Sequence, residues 1–317
     1  MPGIERILFF GTPEFAVPTL AALVAAGRTP VRVVTQPARP AGRGRHAQEP
    51  PVAVWAREHG IDVTQPDRVR RPEFLAEAAA LAADVAVVVA FGQIFPRALL
   101  DLPRHGCVNL HASLLPRWRG ASPIQAAVAA GDRRTGVTTM RMDEGLDTGP
   151  VLLEEPVEIG PDETADALAR RLAALGGPLM VRTLDLLERG AIAPRPQSPE
   201  GVTYAPRLTR DSGRVDWALT AREIHDRGRA YTPWPGLFAE LRGEPVKIVA
   251  AELLDAPDEG PETPGAILGL RGGRLLAVRC GGGGALGLAG LQRPGKRAQR
   301  AADFANGERL RPGESFT

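Results

Sequence analysis

The chain has 317 residues and a formal net charge of +2, from 39 Lys and Arg against 37 Asp and Glu. At roughly 150 residues per domain this is room for two domains, each with its own core, and so small a net charge leaves nucleic-acid contacts to local basic patches. Cys107 and Cys280 sit in no C-x-x-C pair or His/Cys cluster and read as two reduced core thiols of a cytoplasmic protein, while no apolar run has the length of a signal peptide or membrane span.

Residues 6–10 read as a short buried strand. Thr12 is expected to cap the helix that follows, with Pro13 at its first position and Glu14 favourably placed against the dipole. That helix carries apolar Phe15, Val17, Leu20, Leu23 and Val24 and should stop at Gly27. A strand at 31–36 completes a β-α-β unit. The pattern continues with helices near 51–59, 72–82 and 95–100, and strands near 61–63 and 84–90. The last of these, DVAVVVA, is a continuous apolar run typical of a strand covered on both faces. Further strands at 106–111, 135–141 and 151–159, with a helix at 122–130 between the first two, complete a doubly wound α/β sheet. A long helix at 162–189 should be interrupted or kinked by Gly176-Gly177-Pro178.

Residues 190–207 hold four prolines and little periodicity, and read as a linker between a first domain at 1–189 and a second at 208–317. Past it lie one helix-like segment at 220–230 and short β-type runs near 237–241, 245–254, 265–270, 274–280 and 285–291. Short strands at close spacing suggest a small OB-like barrel.

The chemistry concentrates at 106–120, GCVNLHASLLPRWRG. Asn109 and His111 are two apart on a strand, so their side chains leave the same face. An amide donor beside an imidazole suits an oxyanion; the same pair also reads as a polar strand end with His111 bonded to a backbone carbonyl. The loop 143–149, DEGLDTG, offers Asp147 as a partner for His111 or a proton acceptor, or simply as turn chemistry. Its Asp-Thr-Gly occurs once, and an aspartic protease needs two carboxylates sharing a proton.

NLHASLLPRWRG at 109–120 and GLDTG at 145–149, with FGTPEF at 10–15 and TQPARPAGRGR at 35–45, resemble the methionyl-tRNA formyltransferase family. WPG at 234–236 and LQRPGKRA at 291–298 extend the likeness through the second domain. The resemblance implies transfer of a formyl group from 10-formyltetrahydrofolate to the α-amino group of methionyl initiator tRNA by Asn109, His111 and Asp147, with no catalytic metal. It implies folate contacts at Phe91, Gly92, Ile94, Ser113, Leu114, Leu115, Pro116 and Asp143. Phe91 departs from the tyrosine associated with that position.

The long loop 37–50 carries Arg39, Arg43 and Arg45. It reads as a solvated basic loop from charge patterning alone, and as an insertion against the tRNA acceptor stem from the resemblance. Lys247, Lys296 and Arg297 are candidates for a phosphate-binding face on the barrel. A monomer is expected. The competing functions are a folate-dependent formyltransferase acting on a small amine, and a non-catalytic RNA-binding protein. The first would need neither the arginine-rich loop nor the basic face, and the second is disfavoured by the presence of all three candidate catalytic residues.

Overall fold

The apolar run at the start of the chain forms the centre of a parallel sheet. The structure is a computed structural model that describes residues 3–41, 46–254 and 260–317. In chain order the first part comprises β1 (Ile7–Gly11), α1 (Val17–Ala25), β2 (Arg32–Val34), β3 (Arg39–Ala41), β4 (His46–Gln48), α2 (Pro51–Glu58), β5 (Val63–Thr64), α3 (Pro72–Ala80), β6 (Val85–Val89) and α4 (Arg97–Leu100). There follow β7 (Cys107–His111), β8 (Arg119–Gly120), α5 (Pro123–Ala129), β9 (Arg134–Arg141), β10 (Val151–Glu158), α6 (Ala165–Glu188) and β11 (Tyr204–Ala205).

Seven strands make one sheet in the order β10-β9-β7-β6-β1-β2-β5. β1, β2, β5, β6 and β7 are parallel, and β9 runs against β7 and β10. All five residues of both β1 and β6 are buried, as strands covered on two faces require. Strand order reverses between β1 and β6, and the crevice beyond the carboxyl ends of such strands is where open α/β sheets bind ligands.

Two local expectations are corrected. Thr12 caps no helix: a 3-10 turn at Glu14–Ala16 precedes α1, whose first turn has no side-chain cap. The Thr12 hydroxyl instead donates to the Phe91 carbonyl (3.2 Å) and accepts from the Gln36 N–H (3.3 Å), tying the loops after β1, β2 and β6 together. Nor is α6 interrupted at Gly176-Gly177-Pro178; it runs through Pro178 as one 24-residue helix. The glycines serve close packing. A Cβ on Gly177 would lie 2.8 Å from Ala22 Cβ and 2.9 Å from the Pro18 carbonyl of α1, and one on Gly176 would run into Leu110 of β7.

The second part holds α7 (Ala221–Tyr231), β12 (Leu237–Leu241), β13 (Glu244–Leu253), β14 (Ile267–Arg271), β15 (Leu275–Arg279), β16 (Ala285–Gln292), β17 (Gln299–Arg300) and α8 (Ala301–Glu308). α7 opens on a capping box in which Thr220 and Glu223 bond each other's backbone N–H. The antiparallel sheet has the order β12-β13-β16-β15-β14, with β17 on β16. Its two edges meet through the last residues: Phe316 bridges Leu241 at the end of β12, and Ser315 bridges Ala266 just before β14. The result is a small barrel around Val246, Ile248, Leu276, Val278, Leu286 and Leu288, as expected of an OB-like domain.

The division of the chain differs from the simple cut at a linker. One compact unit takes residues 1–123, 134–158 and 168–206, and the other takes 124–133, 159–167 and 207–317. The proline-rich segment after α6 thus belongs to the first unit. Arg195 exchanges two backbone hydrogen bonds of 2.8 Å with Val151, and β11 pairs with β8. Without periodicity, such pairing leaves no mark in the sequence.

Candidate active site

The site is built on β7, between β6 and β9, where Asn109 lies opposite Val88 and Met140. Asn109 Oδ1 is buried and has no hydrogen-bond partner among the described residues. A buried polar atom left unpaired is costly to the fold and calls for a reason beyond it.

His111 ends the strand and is buried. Its Nε2 lies 2.9 Å from the Trp118 carbonyl; because a carbonyl only accepts, that nitrogen carries the hydrogen. Nδ1 faces Asp147 Oδ2 at 3.7 Å, too long for a hydrogen bond but within ion-pair range. The ring therefore makes the backbone bond of a structural histidine and also looks onto a carboxylate.

Asp147 stands in the loop between β9 and β10 with φ +53, a left-handed conformation uncommon outside glycine. Its Oδ2 accepts the Gly120 N–H at 2.7 Å. Gly120 itself has φ +118, and a Cβ there would lie 2.6 Å from the Ala205 carbonyl. A side chain at 120 would push β8 away from β11 and remove that N–H from the carboxylate. Together, a neutral amide, an imidazole and a carboxylate can hold a developing oxyanion and shuttle a proton. Among the described residues, no group of three or more His, Cys, Asp or Glu side chains could hold a metal ion, and no helix is long and apolar enough to cross a membrane.

Comparison with known proteins gives this triad its setting. A family model described as formyl transferase matches residues 5–184, and one described as formyl transferase, C-terminal domain, matches residues 207–309. The methionyl-tRNA formyltransferase of Anaeromyxobacter dehalogenans is 51% identical over 307 residues, covering 96% of this chain and 97% of its own. The chain belongs to the methionyl-tRNA formyltransferase family. More distant members of the fold include the N-formyltransferase from Helicobacter canadensis, solved with folinic acid and dTDP-3-aminofucose. It has a TM-score of 0.65 and 17% identity, covering 89% of this chain and 98% of that one. HypX from Aquifex aeolicus, solved with tetrahydrofolic acid, has a TM-score of 0.61 and 17% identity over 99% of this chain and 51% of its own. At such identities they show a shared fold.

The residues expected from the family pattern to meet folate are dispersed in character. Phe91 is a core side chain, edge-on to Phe10 at 5.3 Å and Phe95 at 5.9 Å, while its carbonyl is held by Gln36 Nε2 at 2.8 Å. Gly92 (φ +80) and the exposed Ile94 lie just beyond it, past β6. The Ser113 hydroxyl donates to the Arg117 carbonyl at 2.6 Å, and Thr138 Oγ1 donates to the Ser113 carbonyl at 2.7 Å. These bonds brace the turn of Leu114, Leu115 and Pro116. Asp143 is engaged within its own loop, accepting from Thr148 Oγ1 at 2.7 Å and the Gly145 N–H at 3.0 Å.

Of the expected RNA contacts, Arg43 and Arg45 lie outside the described residues. Arg39 is exposed on the β3–β4 hairpin and donates to Gln36 Oε1 at 2.7 Å. Lys247 is exposed on β13, and Lys296 and Arg297 line a groove of about 740 Å³ on the second unit. Arg293 and Arg300, neighbours in the same basic run, are occupied by Glu308 and Asp303. Sequence reading missed Gln197 altogether: its Nε2 reaches the carbonyls of Asp147 and Gly149, each at 2.8 Å. Its only signal was a polar residue in a proline-rich stretch.

Proposed function

We propose that the chain transfers the formyl group of 10-formyltetrahydrofolate to the α-amino group of methionine esterified to initiator tRNA, producing formylmethionyl-tRNA. The observation that carries the reading is the Asn109–His111–Asp147 arrangement, with Asn109 Oδ1 unpaired and Asp147 facing His111 at 3.7 Å, in a chain 51% identical to a methionyl-tRNA formyltransferase. The neutral amine attacks the formyl carbon and the carbonyl electrons move onto oxygen. The Nδ2 hydrogens of Asn109, together with protonated His111, hold that alkoxide, while the unpaired Asn109 Oδ1 is left to accept from the incoming amine. For His111 this requires the Nε2 hydrogen to be shared with, or released from, the Trp118 carbonyl. The carbon–N10 bond then breaks as the carbonyl reforms, and Asp147 helps pass the proton from the incoming amine to N10. No covalent enzyme intermediate enters.

The pterin is assigned to the backbone around Phe91, Gly92 and Ile94, the turn Ser113–Pro116 is assigned to folate, and Asp143 holds its loop beside it. The acceptor stem is assigned to Arg39, Arg43 and Arg45, and the tRNA backbone to Lys247, Lys296 and Arg297. The working form is a cytoplasmic monomer. The experiment is incubation with methionyl initiator tRNA and 10-formyltetrahydrofolate, following formylmethionine by mass spectrometry. Formylation is expected with the native chain, and at least about 100-fold slower formation with Asp147→Asn. Absence of product with the folate still bound would redirect the acceptor to a small amine.

A further inference from the structure

Asp147 must hold a left-handed backbone and aim its carboxylate at His111, yet neither demand is met by Asp147 itself. Three contacts from outside its loop meet them. Gly120 N–H donates to Oδ2 at 2.7 Å. The Gln197 amide spends both its hydrogens on the backbone of the loop, one on the Asp147 carbonyl and one on the Gly149 carbonyl, each at 2.8 Å. The Gln197 oxygen in turn accepts from Arg119, from Nε at 3.1 Å and Nη2 at 2.8 Å.

The amide orientation admits no ambiguity. A guanidinium only donates and carbonyls only accept, so the oxygen faces Arg119 and the nitrogen faces the loop. Arg119 is buried and adjoins Gly120, so the contacts close into a ring: carboxylate, Gly120, Arg119, Gln197 and back to the Asp147 backbone. Groups flanking a catalytic side chain in this manner fix its aim, and misplacement by about 1 Å can cost around a hundredfold in rate.

We infer that Gln197, held by Arg119, is a positioning residue for formyl transfer: it locks the backbone of Asp147 so that the carboxylate faces His111. The inference rests on the triad and reaction proposed above. Among side chains of this length only an amide satisfies the position. Glutamate keeps the acceptor for Arg119 but has no hydrogen for the two carbonyls, so Gln197→Glu preserves one half of the clamp and breaks the other. The segment after α6 is thereby part of the catalytic apparatus, acting through Asp147 without touching the reacting atoms.

The test measures Gln197→Glu in the full chain with methionyl initiator tRNA and 10-formyltetrahydrofolate, with rates expressed per folded molecule from near-ultraviolet circular dichroism. The expected result is a fall in kcat of about 10- to 100-fold, with KM for both substrates within about twofold. A role in stability alone would lower the melting temperature and leave kcat per folded molecule within about twofold of the native chain, which overturns the inference. If Gln197→Glu does not fold, Arg119→Lys is read by the same criterion, since a lysine replaces the forked donor with a single point of attachment. A native chain without formylation activity would instead overturn the function proposed above, whatever the variants do.

Discussion

Arg293 and His111 are both sequestered cationic or potentially cationic side chains facing a carboxylate, and they differ in how completely they are satisfied. Arg293 holds both oxygens of Glu308 at 3.0 Å, donates to the Glu244 carbonyl at 3.1 Å and lies over the Phe304 ring. Its hydrogen bond keeps the Glu308 carboxyl below the ordinary carboxylate value. His111 meets Asp147 only at 3.7 Å, beside an Asn109 oxygen with no partner among the described residues. A saturated pair holds a fold together, whereas a pair with spare hydrogen-bonding capacity is available to a substrate. Charge alone does not separate the two, because Arg293 sits in the more basic run.

The contrast is sharpened most by His111→Ala, which should lower kcat for formylation by about two orders of magnitude or more, with a loss of about 1–3 kcal/mol of stability from the emptied position and the Trp118 carbonyl left unpaired. A large loss of stability with unaltered kcat would put His111 in the same class as Arg293. Arg293→Ala should act on stability alone. Urea unfolding is expected to show a loss of about 2 kcal/mol, a figure tempered by the partial exposure of Glu308, with kcat retained. Lys296→Ala, three residues on and exposed, should change stability by less than about 0.5 kcal/mol and act instead on the KM for tRNA.

The smallest and most graded effect is on acid stability. Hydrogen bonding from Arg28 holds Glu188 low. Burial opposes ionisation of Asp84, but the N–H groups of Arg6 and Glu5 and the charge of Arg104 outweigh it. With folded values depressed, these carboxylates stabilise the fold fully above their ordinary values of 4.5 and 3.8. That stabilisation is lost as pH falls through the lowered values. Burial also lowers His105 and His225 from their ordinary value of 6.5, so urea midpoints measured at descending pH should begin to decline below about 6.5 and drop further through the carboxylate range; a midpoint level from pH 7 down to pH 3 would overturn both contributions.

Much of the first unit could be read from local pattern. Ile7–Phe10 and Val85–Val89 are apolar throughout because both sheet faces are covered, and Asn109 and His111 share a face because a strand alternates. What escaped the sequence depends on long-range contacts. Gln197 is 50 residues from Asp147 and 78 from Arg119, and a single amide carries no periodicity. Thr12 looks like a cap because cap chemistry and loop-tying chemistry use the same hydroxyl. Gly176-Gly177-Pro178 looks like a helix break because the demand it answers, the nearness of Leu110, Pro18 and Ala22, lies on other elements. In the barrel, the strands announce themselves, but the pairing of Ser315 and Phe316 with both edges is too short to show as a strand.

That pairing has a consequence for the molecule among its own kind. The outer strands of an open antiparallel sheet present rows of unused N–H and C=O groups to any passing chain. Here the last four residues occupy them: Thr317 exchanges two hydrogen bonds with Glu240, while Ile267 and Phe316 bond to Glu314 and Gly265. The same residues that complete the barrel therefore deny neighbouring copies a template for edge-to-edge aggregation.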